Sequence, residues 1–398
     1  MATRYASMLT RTRLDRREFV RSCSAVASAV VLAGPLFGAE TAPATETNIA
    51  DFLKAPRGPH AIPGPFPGRV VRVTDPRALV ADKVDAKVVR EMFERGVRTL
   101  TGESMRGAFR RFFTRDDVVG IKVNPVGAPL INTRPELVDA VIRWLSENKL
   151  PKGNIVVWDR FEGMLAESGY TAERFPGVRV EGLQMMDEQG GAFRDATGNH
   201  KSAGNFDRDA FYLARGVEGR GVRGYQDDEF YLNQHVFAGE HSYFGTLITR
   251  RLTKIVNLAA FKNTGHGISM ATKNVAYAAV CNTGRLHAPL GFRVCTEVLA
   301  APPVRDKLVL NVTDALRAQY DGGPDKNEQF IVPHHTLYFA TDAFALDATC
   351  QREITAMRTA HGIAPSDHPR YTEYLAYAEQ LGLGVVDPAR VRIVQVNA

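Results

Sequence analysis

The chain has 398 residues, 44% hydrophobic and 24% charged, the make-up of an ordinary soluble globule with room for one large domain or two modest ones. The formal net charge is +6, but residues 1–44 hold six Arg against Asp15, Glu18 and Glu40, so the remainder sits near +3 and gives no reason to expect nucleic-acid binding. Four cysteines without a C-x-x-C pair give no support to a cysteine-ligated zinc or iron–sulfur centre, and Cys281, Cys295 and Cys350 read as buried thiols acting as small apolar residues.

The first feature along the chain is Arg16-Arg17-Glu18-Phe19-Val20-Arg21, followed by an uncharged run to Ala39. This pattern resembles a twin-arginine export signal. The resemblance implies folding before export, the twin-arginine machinery as a partner, and a periplasmic or extracellular destination. Ser22 to Ala39 carries three Ser, a Cys, a Pro and two Gly, which is weak for a permanent span of about 20 apolar residues. Cleavage is expected after Ala39 or at Ala42-Pro43-Ala44, and residues 1–44 stand outside the fold. Nothing after residue 44 approaches a membrane-spanning length, so no stable span is expected once the signal is removed.

Residues 45–67, rich in Pro toward their end, read as a linker or surface arm, and the domain proper begins near residue 68. Arg69 to Val73 is the first strand, and a helix from about Asp82 to Thr101 places Val84, Val88, Met92 and Phe93 on one side. Val118 to Val123 is a short apolar run bounded by charge, hence a buried strand. Thr133-Arg134-Pro135-Glu136 matches a capping box, in which Thr133 and Glu136 each serve the other's backbone amide. The helix it opens runs to about Asn148, and Gly153 to Asp159 is a second buried strand. Strand, helix and strand in this order predict a parallel β-α-β unit.

Residues 187–245 are rich in Gly, Arg, Asp and Tyr with weak periodicity, and read as a loop-rich insertion. The frame resumes with strands at 253–260, 307–312, 336–340 and 391–396, and with helices near 269–281, 342–357 and 370–380. The expected fold is α/β, a mostly parallel sheet with helices on both faces plus the irregular insertion.

In such a sheet ligands bind beyond the carboxyl ends of the strands. Three junctions there carry unusual polar residues. At the first, Lys122 and Asn124 face the helix start at Thr133, a combination suited to a carboxylate or phosphate. The alternative for Lys122 is a pair with Asp116 or Asp117. The second is Lys262-Asn263-Thr264-Gly265-His266-Gly267, continuing to Lys273-Asn274. Glycines around His266 allow close backbone approach, and Lys273 lies one turn into the following helix. The third is acidic: Asp314 closes a strand, Asp342 starts a helix as either cap or ligand, and Asp347 sits on an apolar helix face, where a carboxylate needs a cation, a metal or hydrogen-bond donors.

Several segments together resemble domain-of-unknown-function family 362. They are Asp117 to Asn124, Thr133 to Val138, the Lys262…His266…Lys273-Asn274 pattern, Gly322-Gly323-Pro324, Thr341 to Asp347, and Ala378 to Gly384. The similarity runs from about residue 68 to the C-terminus. The family's activity is unassigned, so the resemblance implies a fold more than a reaction. Some of its members look like fusions to iron–sulfur modules, and this chain lacks the cysteines for that role.

The expectation from these residues is an exported enzyme acting on a small anionic substrate, a carboxylate or sugar acid. His266, Lys273 and Asp347 are the catalytic candidates. Lys122, Asn124, Thr133, Lys262, Asn274 and Asp314 are the substrate-binding candidates, and His266 with Asp342 is a candidate site for a divalent transition metal. The alternative is a periplasmic ligand- or metal-binding protein without turnover.

Overall fold

The computed structural model describes residues 45–185, 195–217, 236–237, 239–264, 267–287 and 290–397. The expected export signal, His266 and much of the insertion lie outside the described residues.

The chain enters through a two-residue strand, β1 (Glu46–Thr47), and a short helix, α1 (Ile49–Lys54). The expected arm is therefore pinned along its length. Ile62 is fully buried, and the Arg57 guanidinium donates to the carbonyls of Leu381 and Gly382. Strand β2 (Arg69–Thr74) opens the main sheet, and a small hairpin, β3 (Leu79–Val80) with β4 (Lys83–Val84), occupies the beginning of the expected first helix. That helix, α2 (Ala86–Thr101), starts only at Asp85, whose carboxylate accepts from the amides of Lys87 and Val88. A further helix, α3 (Met105–Phe112), is capped by Ser104.

Next come β5 (Val119–Lys122), α4 (Pro135–Glu147), β6 (Ile155–Phe161), α5 (Glu162–Glu167) and β7 (Arg179–Gln184), the predicted parallel unit continued by one strand. The insertion contains more order than its composition suggested: β8 (Phe206–Arg215) and β9 (His241–Gly245) join β1 in a separate three-stranded antiparallel sheet. The frame then continues through β10 (Lys254–Lys262), α6 (Ala271–Ala279), α7 (Arg293–Ala300), α8 (Pro302–Arg305), β11 (Leu308–Gln319), β12 (Ile331–Ala340), α9 (Ala343–Ala360), α10 (Pro369–Gln380) and β13 (Arg392–Asn397).

The main sheet has eight strands in the order β13-β2-β12-β11-β10-β5-β6-β7. Only β12 pairs antiparallel, to β11 on one side and β2 on the other, so it alone runs against the rest. This is the expected α/β architecture.

Alternation along the strands sends residues to two cores. Ile155 and Val157 of β6 and Val256 and Leu258 of β10 pack under α2, α3 and α4, where Phe93, Phe109 and Trp144 form edge-on aromatic contacts. Val156 and Trp158 of β6 and Ile255 and Phe261 of β10 face the other core, closed by α6, α7, α9 and α10. Both faces of the sheet are thus covered, as its near-continuous apolar strands require.

Two glycines of the Gly322-Gly323-Pro324 motif have a physical reason. Gly322 holds φ +69, and a Cβ on Gly323 would lie 1.8 Å from the Asn263 carbonyl oxygen. The segment therefore presses directly on the end of β10, which no larger residue permits.

Candidate functional site

Strands β5, β6, β10 and β11 are mutually parallel, so their carboxyl ends form one rim. Two lysines rise from it. Lys122 ends β5, Lys262 ends β10, and both are buried. Their amines converge on one stretch of backbone just past β5. Lys122 Nζ donates to the Val123 carbonyl at 2.6 Å, and Lys262 Nζ donates to the Val126 carbonyl at 2.6 Å and to Asn124 Oδ1 at 3.0 Å.

The two amines are satisfied differently. Lys122 also donates to Asn274 Oδ1 at 2.9 Å and meets Asp159 Oδ1 at 2.5 Å. An ammonium has three N–H groups, and Lys122 has three acceptors, one of them charged. Its partner is Asp159 on β6, neither Asp116 nor Asp117. Asp117 instead accepts from Thr114 and Thr253. With every donor engaged, Lys122 acts on a ligand through its field more than through a bond. Burial lowers its pKa, and the Asp159 charge opposes that shift.

Among the described residues Lys262 has no carboxylate in contact. Burial pulls its pKa down to about 7, with Lys273 and Lys122 adding to the shift while Asp325 and Asp159 oppose it.

A chain of amides fixes this arrangement across the sheet. Asn274 Nδ2 donates to Asn257 Oδ1 at 2.8 Å, Asn257 Nδ2 to Asn311 Oδ1 at 2.9 Å, and Asn311 Nδ2 to the Thr341 carbonyl at 3.2 Å. Each amide is buried and holds its neighbour in one orientation.

The capping box at Thr133 does not form. Arg134 is the N-cap of α4, and no side chain caps that helix in the expected way. The Thr133 hydroxyl is drawn instead into the sheet, donating to the Leu258 carbonyl at 2.6 Å and accepting from the Asn124 amide at 2.9 Å. Asp314 on β11 takes up the helix start, accepting from the Arg134 amide at 2.7 Å and from the Leu316 amide at 3.2 Å. A capping box is a local pattern, and here contacts to two non-local strands replace it. Burial raises the Asp314 pKa, and the Arg134 charge counters it. Thr133 and Asp314 therefore position the loop that carries Asn124.

The two late aspartates have structural partners. Asp347, fully buried on α9, caps α6 from outside: Oδ1 accepts from the Ala271 amide at 2.8 Å, while Oδ2 accepts from the Thr272 amide and hydroxyl and from the Tyr374 hydroxyl. Donors, the third of the three requirements for a buried carboxylate, are what it finds. Its pKa is pushed up to about 6 by burial against these hydrogen bonds. Asp342 caps its own helix through the amides of Phe344 and Ala345, and also ties down the amides of Gly68 and Val385.

The proposed metal pair therefore fails on the Asp342 side. Four backbone donors occupy its two oxygens, which leaves no lone-pair direction suited to a cation. Among the described residues, no group of three or more His, Cys, Asp and Glu is placed to hold a metal. Cys281, Cys295 and Cys350 are buried free thiols, and burial pushes Cys281 and Cys295 up to about 12.

Around the buried lysines lies a second, more accessible tier. Lys273 of α6 is half-buried, its Nζ 5.4 Å from the centre of the Tyr277 ring and 5.3 Å from that of Phe292. The Tyr277 ring lies 4.5 Å from that of His287. His287 Nδ1 is 3.0 Å from the Thr283 carbonyl, and the half-buried Arg160 donates to the Thr283 hydroxyl. His287 shows surface to solvent, yet the protein around it pulls its pKa down to about 3, with the Lys273 charge adding and Arg160 contributing less. The imidazole is neutral at physiological pH.

Asp159 and Arg160 are members of this site that the sequence did not single out, and His287, whose spacing to the other histidines reads as structural, joins them. The only signal for the first two was their place at the carboxyl end of a buried strand beside Trp158.

No protein family, curated protein or solved structure matches the chain.

Proposed function

We propose that this protein is an exported enzyme of the α/β class that acts on a small anionic substrate, a carboxylate or sugar acid, at the rim formed by β5, β6 and β10. One observation carries the reading: the half-buried Lys273 and Arg160 stand over a rim whose buried Lys122 is already matched by Asp159, so a substrate entering there meets two cationic side chains beside the enclosed Lys262 amine. Lys273 and Arg160 supply charge to the substrate. Neutral His287 offers a ring nitrogen to a hydroxyl, and Asn124, Asn274, Thr133 and Asp314 hold the scaffold. No metal enters this reading.

Calorimetric titration with lactate and gluconate tests it, with glycerol as the neutral control. Both acids are expected to bind and glycerol not. Lys273→Met should weaken acid binding about 10- to 100-fold, the range of one charge-assisted hydrogen bond. Equal or absent binding of all three compounds would remove the anion site. Product analysis on the same mixtures separates turnover from simple retention.

The location rests on the Arg16-Arg17 pair and its apolar continuation. Arg16→Lys with Arg17→Lys in the full chain is expected to leave the precursor in the cytoplasm. Normal export of that double variant would refute the twin-arginine route.

A further inference from the structure

Lys122 and Lys262 sit on one rim and touch one stretch of backbone, yet they differ in donor count. Lys122 meets three acceptors, including the Asp159 carboxylate, as an ammonium requires. Among the described residues Lys262 meets two, Asn124 Oδ1 and the Val126 carbonyl, and both are neutral. A neutral amine has two N–H groups and one lone pair, and this is the species that two neutral acceptors fit. Full burial without a contacting carboxylate disfavours the ammonium, and the charges of Lys122 and Lys273 disfavour it further.

Resting on the anion-site reading above, we infer that Lys262 is an amine nucleophile and that the substrate class of this site is 2-oxo acids, whose carbonyl carbon it attacks. The two features of the rim match the two ends of such a molecule. The cations draw the carboxylate, and the lone pair meets the adjacent electrophilic carbon. A lysine kept neutral by desolvation and by a neighbouring cation is the form able to do this at neutral pH.

The step needs no redox partner. The Nζ lone pair forms a bond to the carbonyl carbon as the C=O π pair moves to oxygen. One proton passes from nitrogen to that oxygen, giving a carbinolamine. The hydroxyl then leaves as water with the second amine proton, and a C=N bond remains.

Reductive trapping in the full-length native protein tests the inference. Pyruvate and glyoxylate are the probes, sodium cyanoborohydride the reductant, and peptide mass mapping the readout. The expected result is a single adduct on the peptide carrying Lys262, absent from Lys262→Gln. Its rate of formation should rise as pH passes about 7, where Lys262 loses its proton, and not only near the ordinary lysine value of 10.5. No adduct, or adducts spread over surface lysines without excess at Lys262, overturns it. The amine is enclosed, so a 2-oxo acid that fails to reach it counts against the inference equally. Lactate binding measured in parallel separates the two levels: binding without trapping removes only the nucleophile, whereas loss of both removes the anion site as well.

Discussion

Asp159→Ala is expected to destabilise the protein by about 3–5 kcal/mol, measured by urea denaturation, because it strands the Lys122 ammonium in a buried site without its counter-charge. The geometry makes the pair hard to replace. Asp159 Oδ1 lies 2.5 Å from Lys122 Nζ, and both side chains are almost completely inaccessible. Water cannot substitute without opening the sheet rim between β5 and β6. Lys122→Met in the Asp159→Ala background should recover most of the loss, since it removes the orphaned charge while keeping much of the stem's volume. The cycle discriminates sharply. If the double variant were as unstable as the sum of the singles, the two side chains would be acting independently and the ion pair would not organise the rim. Trp158 gives a local check, because Lys122 Nζ lies 5.7 Å from the centre of its ring and changes there should alter its emission.

The parts of this fold legible in the sequence are those whose cause is local. Apolar runs bounded by charge or turn residues marked β5, β6, β10 and β13, and Gly382, at φ +65, follows the end of α10 as a glycine stop should. The errors share one origin. Thr133 has the right chemistry and spacing to cap α4, but its hydroxyl lies within reach of Leu258 on a strand 125 residues away, and the sheet wins. Strand β11 runs well past its expected end at Val312, because its antiparallel ladder with β12 continues through Ala315 opposite Thr336 to Gln319 opposite Ile331, a pairing that the polar residues after Val312 do not advertise. The same limit applies at the site. The lysines were visible as polar residues closing apolar strands. Which lysine is charge-compensated depends on Asp159 alone, one strand over.

Asp347→Asn is expected to change the pH dependence of stability more than the stability itself at any one pH. Burial raises the folded-state pKa of Asp347 to about 6, against 3.8 for the unfolded chain. Between those values the folded state binds the extra proton, so acidification through this window favours folding. Over the whole window, at 1.36 kcal/mol per pKa unit, the contribution is about 3 kcal/mol. Above pH 6 both states are ionised, and the folded chain carries the full cost of a buried carboxylate. Asp342, also raised to about 6 by burial, adds a term of the same sign. His334 opposes both: burial lowers it to about 4, so below its ordinary value of 6.5 the unfolded chain takes up the proton and stability falls with acid. Opposed terms flatten the native profile between pH 7 and pH 4. Removing the Asp347 term with asparagine should expose the histidine contribution, giving a profile that falls by about 1–3 kcal/mol more than the native one over that interval. Urea midpoints at half-unit steps resolve a difference of this size. Parallel profiles would mean that Asp347 stays ionised throughout and that the amides of Ala271 and Thr272 bind its charge more strongly than burial opposes it.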